Sequence, residues 1–161
     1  MARVKLHGFE EFENQLAQLG TRLVHIQGQA IYAGADIVAD AVKAQIQALP
    51  VSDAWGSPGN PRHGVTAVEK KGLLESFGIA PAQTQGYYTN VKLGFDGYND
   101  DKTDDWPRGK PNVMIARAIE SGTSWSDKHP FFNKALQASR KRAEERMKEV
   151  MEREIQTAME G

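Results

Sequence analysis

Four histidines, His7, His25, His63 and His129, carry the widest chemical repertoire in this chain of 161 residues. An imidazole can bind zinc or pass a proton. A zinc site needs several ligands at set spacings, such as i and i+4 on one helix, and no two of these histidines meet that requirement. Each reads as a surface or turn histidine. Asp96, Asp100, Asp101, Asp104 and Asp105 cluster in "DGYNDDKTDD". A calcium loop needs oxygens at alternating positions, a central glycine and a terminal bidentate glutamate. Tyr98 and Lys102 interrupt that alternation, and neither the glycine nor the glutamate is in place, so a solvated loop is expected. The chain shows no "GxSxG", no glycine-rich phosphate loop and no "HExxH". With no cysteine, thiolate zinc sites, disulfides and cysteine nucleophiles are excluded. No constellation supports catalysis, and neither a cofactor nor a metal is expected.

Charge is equally uncommitted. The formal net charge is −1, so no global field draws the chain toward nucleic acid or a membrane. Locally, Arg140, Lys141 and Arg142, together with Arg62 and Lys70, can contact phosphates, and a nucleic-acid-binding or regulatory adaptor is the alternative they raise. Glu144, Glu145, Glu149, Glu152 and Glu154 balance the run. Glu144 with Lys148, and Glu149 with Arg153, sit at i, i+4 in the favourable order. The simpler reading is a solvated helix with its own ion pairs.

The elements that would hold these residues follow from periodicity. In "MARVKLHGF", Val4 and Leu6 alternate with Arg3, Lys5 and His7, which predicts a short strand or extended lead-in. Phe9, Phe12, Leu16 and Leu19 recur at helical spacing, and Gly20 marks a stop. A long second helix is expected over about 21–49, with Ile31, Ala35, Val38, Val42, Ile46 and Leu49 on one face and Pro50 ending it. A flexible loop follows at about 51–71, in which Trp55 is an aromatic anchor for a neighbour. "GLLESFGIA" and "GYYTNVKLGFD" read as antiparallel strands joined by "PAQTQ". After a polar loop, "NVMIARAIESG" reads as a short helix with Asn112 as N-cap, Gly122 as C-terminal signal, and Met114, Ile115 and Ile119 in the core. A last helix is expected over about 131–159. Its apolar row thins beyond Ala143 to Met147, Val150, Met151, Ile155 and Met159, which predicts a half that projects or packs lightly and can dock a partner.

Two stretches resemble a known family. "ESGTSWSDKHPFFNKALQ" is similar to the C-terminal signature of the tail-component family of long-tailed bacteriophages. That signature has an acidic residue, Gly-Thr, a spacer, Pro-Phe, and an alanine on a helix. Here these are Glu120, Gly122, Thr123, Pro130, Phe131 and Ala135. Upstream, "KKGLLESFGI" resembles the family's Thr-Gly-x-Leu-x-x-Ser-Ile segment through Gly72, Leu74 and Ser76, with Lys71 in place of the threonine and Phe77 in place of the isoleucine. The order of elements is similar along nearly the whole chain.

One domain over 1–161 is therefore expected, of the α+β class, with a small antiparallel sheet packed by the long second helix and the long C-terminal helix. The resemblance implies a structural virion protein of a phage or prophage, not an enzyme. It would act at the neck in tail completion or head–tail joining, as a homo-oligomeric ring that contacts other neck, connector and tail proteins. It would be found in the virion, and in the host cytoplasm during assembly, with no membrane partner and no nucleic acid. Trp55, Arg62, Phe131, Phe132, Met147, Met151 and Ile155 are the candidate interface residues. Of the two phenylalanines, one is expected to anchor the last helix and the other to face a neighbour.

Overall fold

The computed structural model describes residues 9–86 and 88–160. The strand expected around Val4 and Leu6, and His7, lie outside the described residues. The chain forms helix α1, Phe9–Gln47, and helix α2, Ala67–Ser76. Four short strands follow: β1, Phe77–Ile79; β2, Gln83–Gln85; β3, Tyr88–Asn90; and β4, Leu93–Phe95. Helices α3, Asn112–Ser121, and α4, Phe131–Glu160, complete the α+β fold.

Gly20 does not stop a helix, and the two expected N-terminal helices are one element of 39 residues. A glycine ends a helix when the next residues leave helical geometry. Here helical periodicity resumes at once, and the cost of one interior glycine, about 1 kcal/mol relative to alanine, is carried by the turns around it. The expected second helix is thus the C-terminal part of α1.

Helices α1 and α4 lie antiparallel. Val42 and Ile46 share a core with Phe131 and Ala135, whereas Gly34 lies against Met147 and Ala143. The buried row of α1 includes Ile26, Ala30, Ala35, Ala39, Val42 and Ile46. That of α4 runs Phe131, Ala135, Ser139, Ala143, Val150 and Ala158. Most residues in the middle of this seam are small, so the two backbones approach closely. A Cβ on Gly34 would stand 2.5 Å from Met147 Cγ and 3.3 Å from the Ala143 carbonyl oxygen. The one hydroxyl in the row, Ser139 Oγ, donates to the Ala135 carbonyl at 2.7 Å and so leaves no buried donor unmet. Beyond Ala143 the helix keeps to α1: Val150 and Ala158 are buried, so of the two expected arrangements this half does not project, while Met147, Met151 and Ile155 stay half-buried.

The C-terminal part of α1 carries the main core. Ala39, Val42, Ile46 and Leu49 pack with Val65, Leu73, Phe77, Ile115, Ala116, Ile119, Phe131 and Ala135. Four phenylalanine rings join sheet to helix. Phe77 stands 5.0 Å from Phe95 and 6.4 Å from Phe132, and Phe131 stands 6.1 Å from Phe95. These spacings and tilts suit edge-to-face contact.

The single expected sheet is a pair of two-stranded antiparallel ladders, β1 with β4 and β2 with β3. "GLLES" is not strand but the end of α2. Thr66 and Glu69 form a capping box that starts this helix: Thr66 Oγ1 accepts from the Glu69 amide at 3.1 Å, and the Glu69 carboxylate accepts from the Thr66 amide at 2.9 Å. The loop expected to reach residue 71 therefore ends at 66. "PAQTQ" is not the connection between strands, because Gln83–Gln85 is β2 and the turn falls at Gly86, whose φ is +62°. Pro111, not Asn112, is the N-cap of α3. Asn112 is buried, and its side-chain Nδ2 donates to the Asp96 carbonyl at 2.9 Å, tying α3 to the end of β4.

The close seam makes a direct prediction. Ala143→Leu should destabilise the protein by about 1–3 kcal/mol through overpacking. Leu136→Ala, on an exposed part of the same helix, should change stability by less than about 0.5 kcal/mol. Urea unfolding of the two variants checks both.

Candidate functional site

Two irregular segments, 51–66 and 122–130, meet beside α3 and present two exposed tryptophans, Trp55 and Trp125. Val51 and Val65 form a parallel bridge that closes the first segment on itself. Val65 is fully buried, and its amide donates to the Pro50 carbonyl at 2.9 Å. Arg62 then bridges to the second segment. Its amide donates to the Trp125 carbonyl at 2.9 Å, and its carbonyl accepts from the Asp127 amide at 2.9 Å. Gly56 lies directly under that junction: a Cβ there would stand 1.8 Å from the Trp125 carbonyl oxygen.

The Arg62 side chain is spent inside the protein. Its guanidinium contacts the Glu69 carboxylate at 2.7 Å and donates to the Gly64 carbonyl at 3.0 Å, with both ion-pair partners largely buried. Glu69 also belongs to the α2 capping box, so one carboxylate joins loop and helix start. At the outer edge of this junction His63 pairs with Asp127.

What this framework presents is apolar. Trp55 is 97% exposed. Trp125, Val68 and Met114 are also exposed, and all four line a cleft of about 570 Å³ floored by Ile115 and Ile119. Met114, expected in the core, is on the surface, because α3 buries only its Asn112, Ile115, Ala116 and Ile119 face. Asp53, Asp101 and Lys110 stand on the rim. An arrangement of large exposed rings over an apolar floor, with polar groups around it, has the anatomy of a protein-binding surface.

The residues of the quoted signature are brought together on the other side of the second segment. Glu120, at the end of α3, caps the start of α4. Its carboxylate accepts from the Phe132 amide at 2.9 Å, the Asn133 amide at 3.1 Å and the Asn133 side chain at 2.8 Å. A carboxylate at a helix N-terminus meets unpaired N–H groups and the positive end of the helix dipole. Gly122 ends α3 at φ +73°, its amide donating to the Ala118 carbonyl. Thr123 Oγ1 accepts from the Trp125 amide at 3.2 Å. Pro130 directly precedes the first residue of α4. Phe131 is buried, and Phe132 is half-buried against the same core, so both rings of the pair face inward to different degrees. Ala135 is fully buried at the crossing with α1. In the upstream match, Leu73 and Leu74 serve the core, and Gly72 lies so close to α3 that a Cβ would stand 2.9 Å from Asn112 Oδ1. Ser76 lines the cavity beside β1.

The remaining expected interface residues lie elsewhere. Met147 rests against Gly34, and Met151 lines a small cavity with Gln27, Ala30 and Ile31 of α1. Ile155 is half-buried one turn further along the same row. The basic run of α4 is exposed. Glu144 contacts the Arg140 guanidinium at 2.8 Å, and that hydrogen bond and the attraction of its charge hold the Arg140 pKa above its ordinary value. The pairs formed along α4 are Arg140–Glu144, Arg146–Glu149, Lys148–Glu152 and Arg153–Glu154, not the two expected from spacing. Among the described residues no three His, Asp or Glu side chains converge to hold a metal ion, and no helix is long and apolar enough to cross a membrane.

Of the four exposed residues Trp55, Trp125, Val68 and Met114, the sequence marks only Trp55 as an interface residue. Trp125 sits in the middle of the signature stretch, and its position among short polar residues was the available signal. Val68 and Met114 gave none, since periodicity alone places an apolar residue inside. No family model matches the chain, and neither a curated protein nor a solved structure does.

Two substitutions test this construction. Glu120→Ala should cost about 1–2 kcal/mol by uncapping α4, with Glu120→Gln intermediate, as read by thermal melts at neutral pH. Gly56→Ala should cost on the order of 2 kcal/mol, because its methyl meets fixed backbone rather than a flexible side chain. It should also change the intrinsic tryptophan fluorescence by displacing the Trp125 segment.

Proposed function

We propose that this protein is a structural component of a phage or prophage virion, acting at the neck in tail completion or head–tail joining. On this reading it self-assembles into a ring and presents its aromatic cleft to a neighbouring subunit or to another neck, connector or tail protein. One observation supports it above the rest. The residues that resemble the tail-component signature anchor both ends of the 122–130 segment that carries Trp125, with the Gly122 reversal at one end and the Glu120 cap on α4 at the other. A motif spent on positioning, beside an exposed aromatic cleft, favours recognition over chemistry. The protein would be made in the host cytoplasm and end in the virion.

Function and fold separate cleanly at Trp55. The ring is almost wholly exposed, so Trp55→Ala should shift stability by less than about 0.5 kcal/mol. It should reduce the yield of tailed particles, counted by electron microscopy, when it replaces the wild-type protein during phage production. Particles made without the protein should appear as separate filled heads and finished tails. Normal tailed particles in its absence would refute the reading.

A further inference from the structure

The ladder of β1 and β4 leaves one strand edge open. β4 has a strand neighbour on one side only. The bonds from the Ala80 amide to the Lys92 carbonyl and from the Asp96 amide to the Ser76 carbonyl fix the phase of the ladder. Gly78 and Gly94 are then the pair that exchanges both bonds, and the N–H and C=O groups of Leu93 and Phe95 point away from β1. Among the described residues no hydrogen bond outside the ladder reaches them. Alongside lies a groove of about 390 Å³ lined by Leu93, Phe95, Val113, Ala116 and Phe132. On the opposite face of the ladder, Gly78 and Gly94 stand directly opposed, with open space where side chains would be.

We propose that this edge takes an added strand, and that the strand is residues 2–7 of a second copy of the chain. The inference rests on the self-assembly reading above and supplies its contact. An edge with unpaired backbone groups beside an apolar groove is the arrangement that strand addition uses, with main-chain bonds for affinity and alternate side chains for selection. The segment "ARVKLH" has the matching pattern. Placed along β4, Val4 and Leu6 continue the row of Leu93 and Phe95. Arg3, Lys5 and His7 fall on the glycine face, where Glu75, Asp96 and Asp100 outnumber Lys71 and Lys92 among the bordering charges.

Reach excludes the chain's own segment. Leu93 and Phe95 pack on the core, to which α1 contributes Ala39, Val42 and Ile46, so Phe9 stands roughly 30 residues away along that helix, or about 45 Å. The eight residues before Phe9 span at most about 27 Å when fully extended. Donor and acceptor are therefore in different copies and on different faces. Such a contact is heterologous, and it propagates from copy to copy until a rotation closes it.

The native chain has no cysteine, so engineered pairs report without background. Gly94 falls at the position where added-strand side chains approach closest, and a Cβ there meets nothing within 4 Å. Full-length chains carrying Gly94→Cys with Arg3→Cys, Lys5→Cys or His7→Cys should give, for at least one of the three, a ladder of disulfide-linked oligomers under mild oxidation. Gly94→Cys with Val4→Cys, which faces the other way, should give none, and single variants should stop at dimers. In parallel, a labelled synthetic peptide of residues 1–8 should bind the full-length chain saturably by fluorescence anisotropy, and N-methylation at Val4 and Leu6 should weaken it at least tenfold. Oligomers detected by light scattering without a ladder or peptide binding would overturn the strand and leave self-assembly standing. Peptide binding by a chain that stays monomeric would support the strand site and count against self-assembly of the chain alone. A ladder equally strong from Val4→Cys, or binding indifferent to N-methylation, would overturn the proposal.

Discussion

The close crossing of α1 and α4 is the constraint on which the other elements depend. Small residues along both helices, Ala30, Gly34, Ala35 and Ala39 facing the row of Ala135, Ser139 and Ala143, let the two backbones approach. Apart from the β2–β3 ladder, whose Thr89 bonds Gln27 nearer the middle of α1, the rest of the chain is arranged around the end of that pair where the side chains grow large. There Val42, Ile46 and Leu49 meet Phe131 and the other phenylalanines, and there α2, α3 and the β1–β4 ladder find apolar surface to cover. None of the short elements has enough apolar area to fold alone. Two ladders with strands of three residues each are far below what stands unaided in water.

The second joint is electrostatic. Glu120 ends one helix and begins another, holding α3 and α4 in a fixed relation through three accepted hydrogen bonds. Glu69 does the same between the 51–66 segment and α2, taking both the Thr66 amide and the Arg62 guanidinium. In each case one carboxylate answers the unpaired N–H groups of a helix start and a second demand from elsewhere. The irregular segments thus gain definite positions without regular structure of their own. Their aromatic residues are held by backbone bonds at Arg62 and Trp125 rather than by burial of the rings. A surface built this way stays exposed and still has a shape, as a docking surface requires.

Composition and local pattern in the sequence decided the α+β class, the long C-terminal helix, the Gly122 stop and the buried row of α1 from Ala35 to Ile46. These depend on period and on single-residue backbone preferences, which act over a few neighbouring positions. The Thr66–Glu69 box is equally local, but the expected loop to residue 71 passes over it, and "GLLES" reads as strand by its apolar content. Tertiary structure alone decided that Gly20 lies within one helix, that α4 keeps to α1 beyond Ala143, and that Glu120 reaches across to Phe132 and Asn133. It also decided that Met114 faces out with Trp55, Trp125 and Val68. Each of these depends on which element lies opposite, and periodicity gives the face of a helix without saying what covers it.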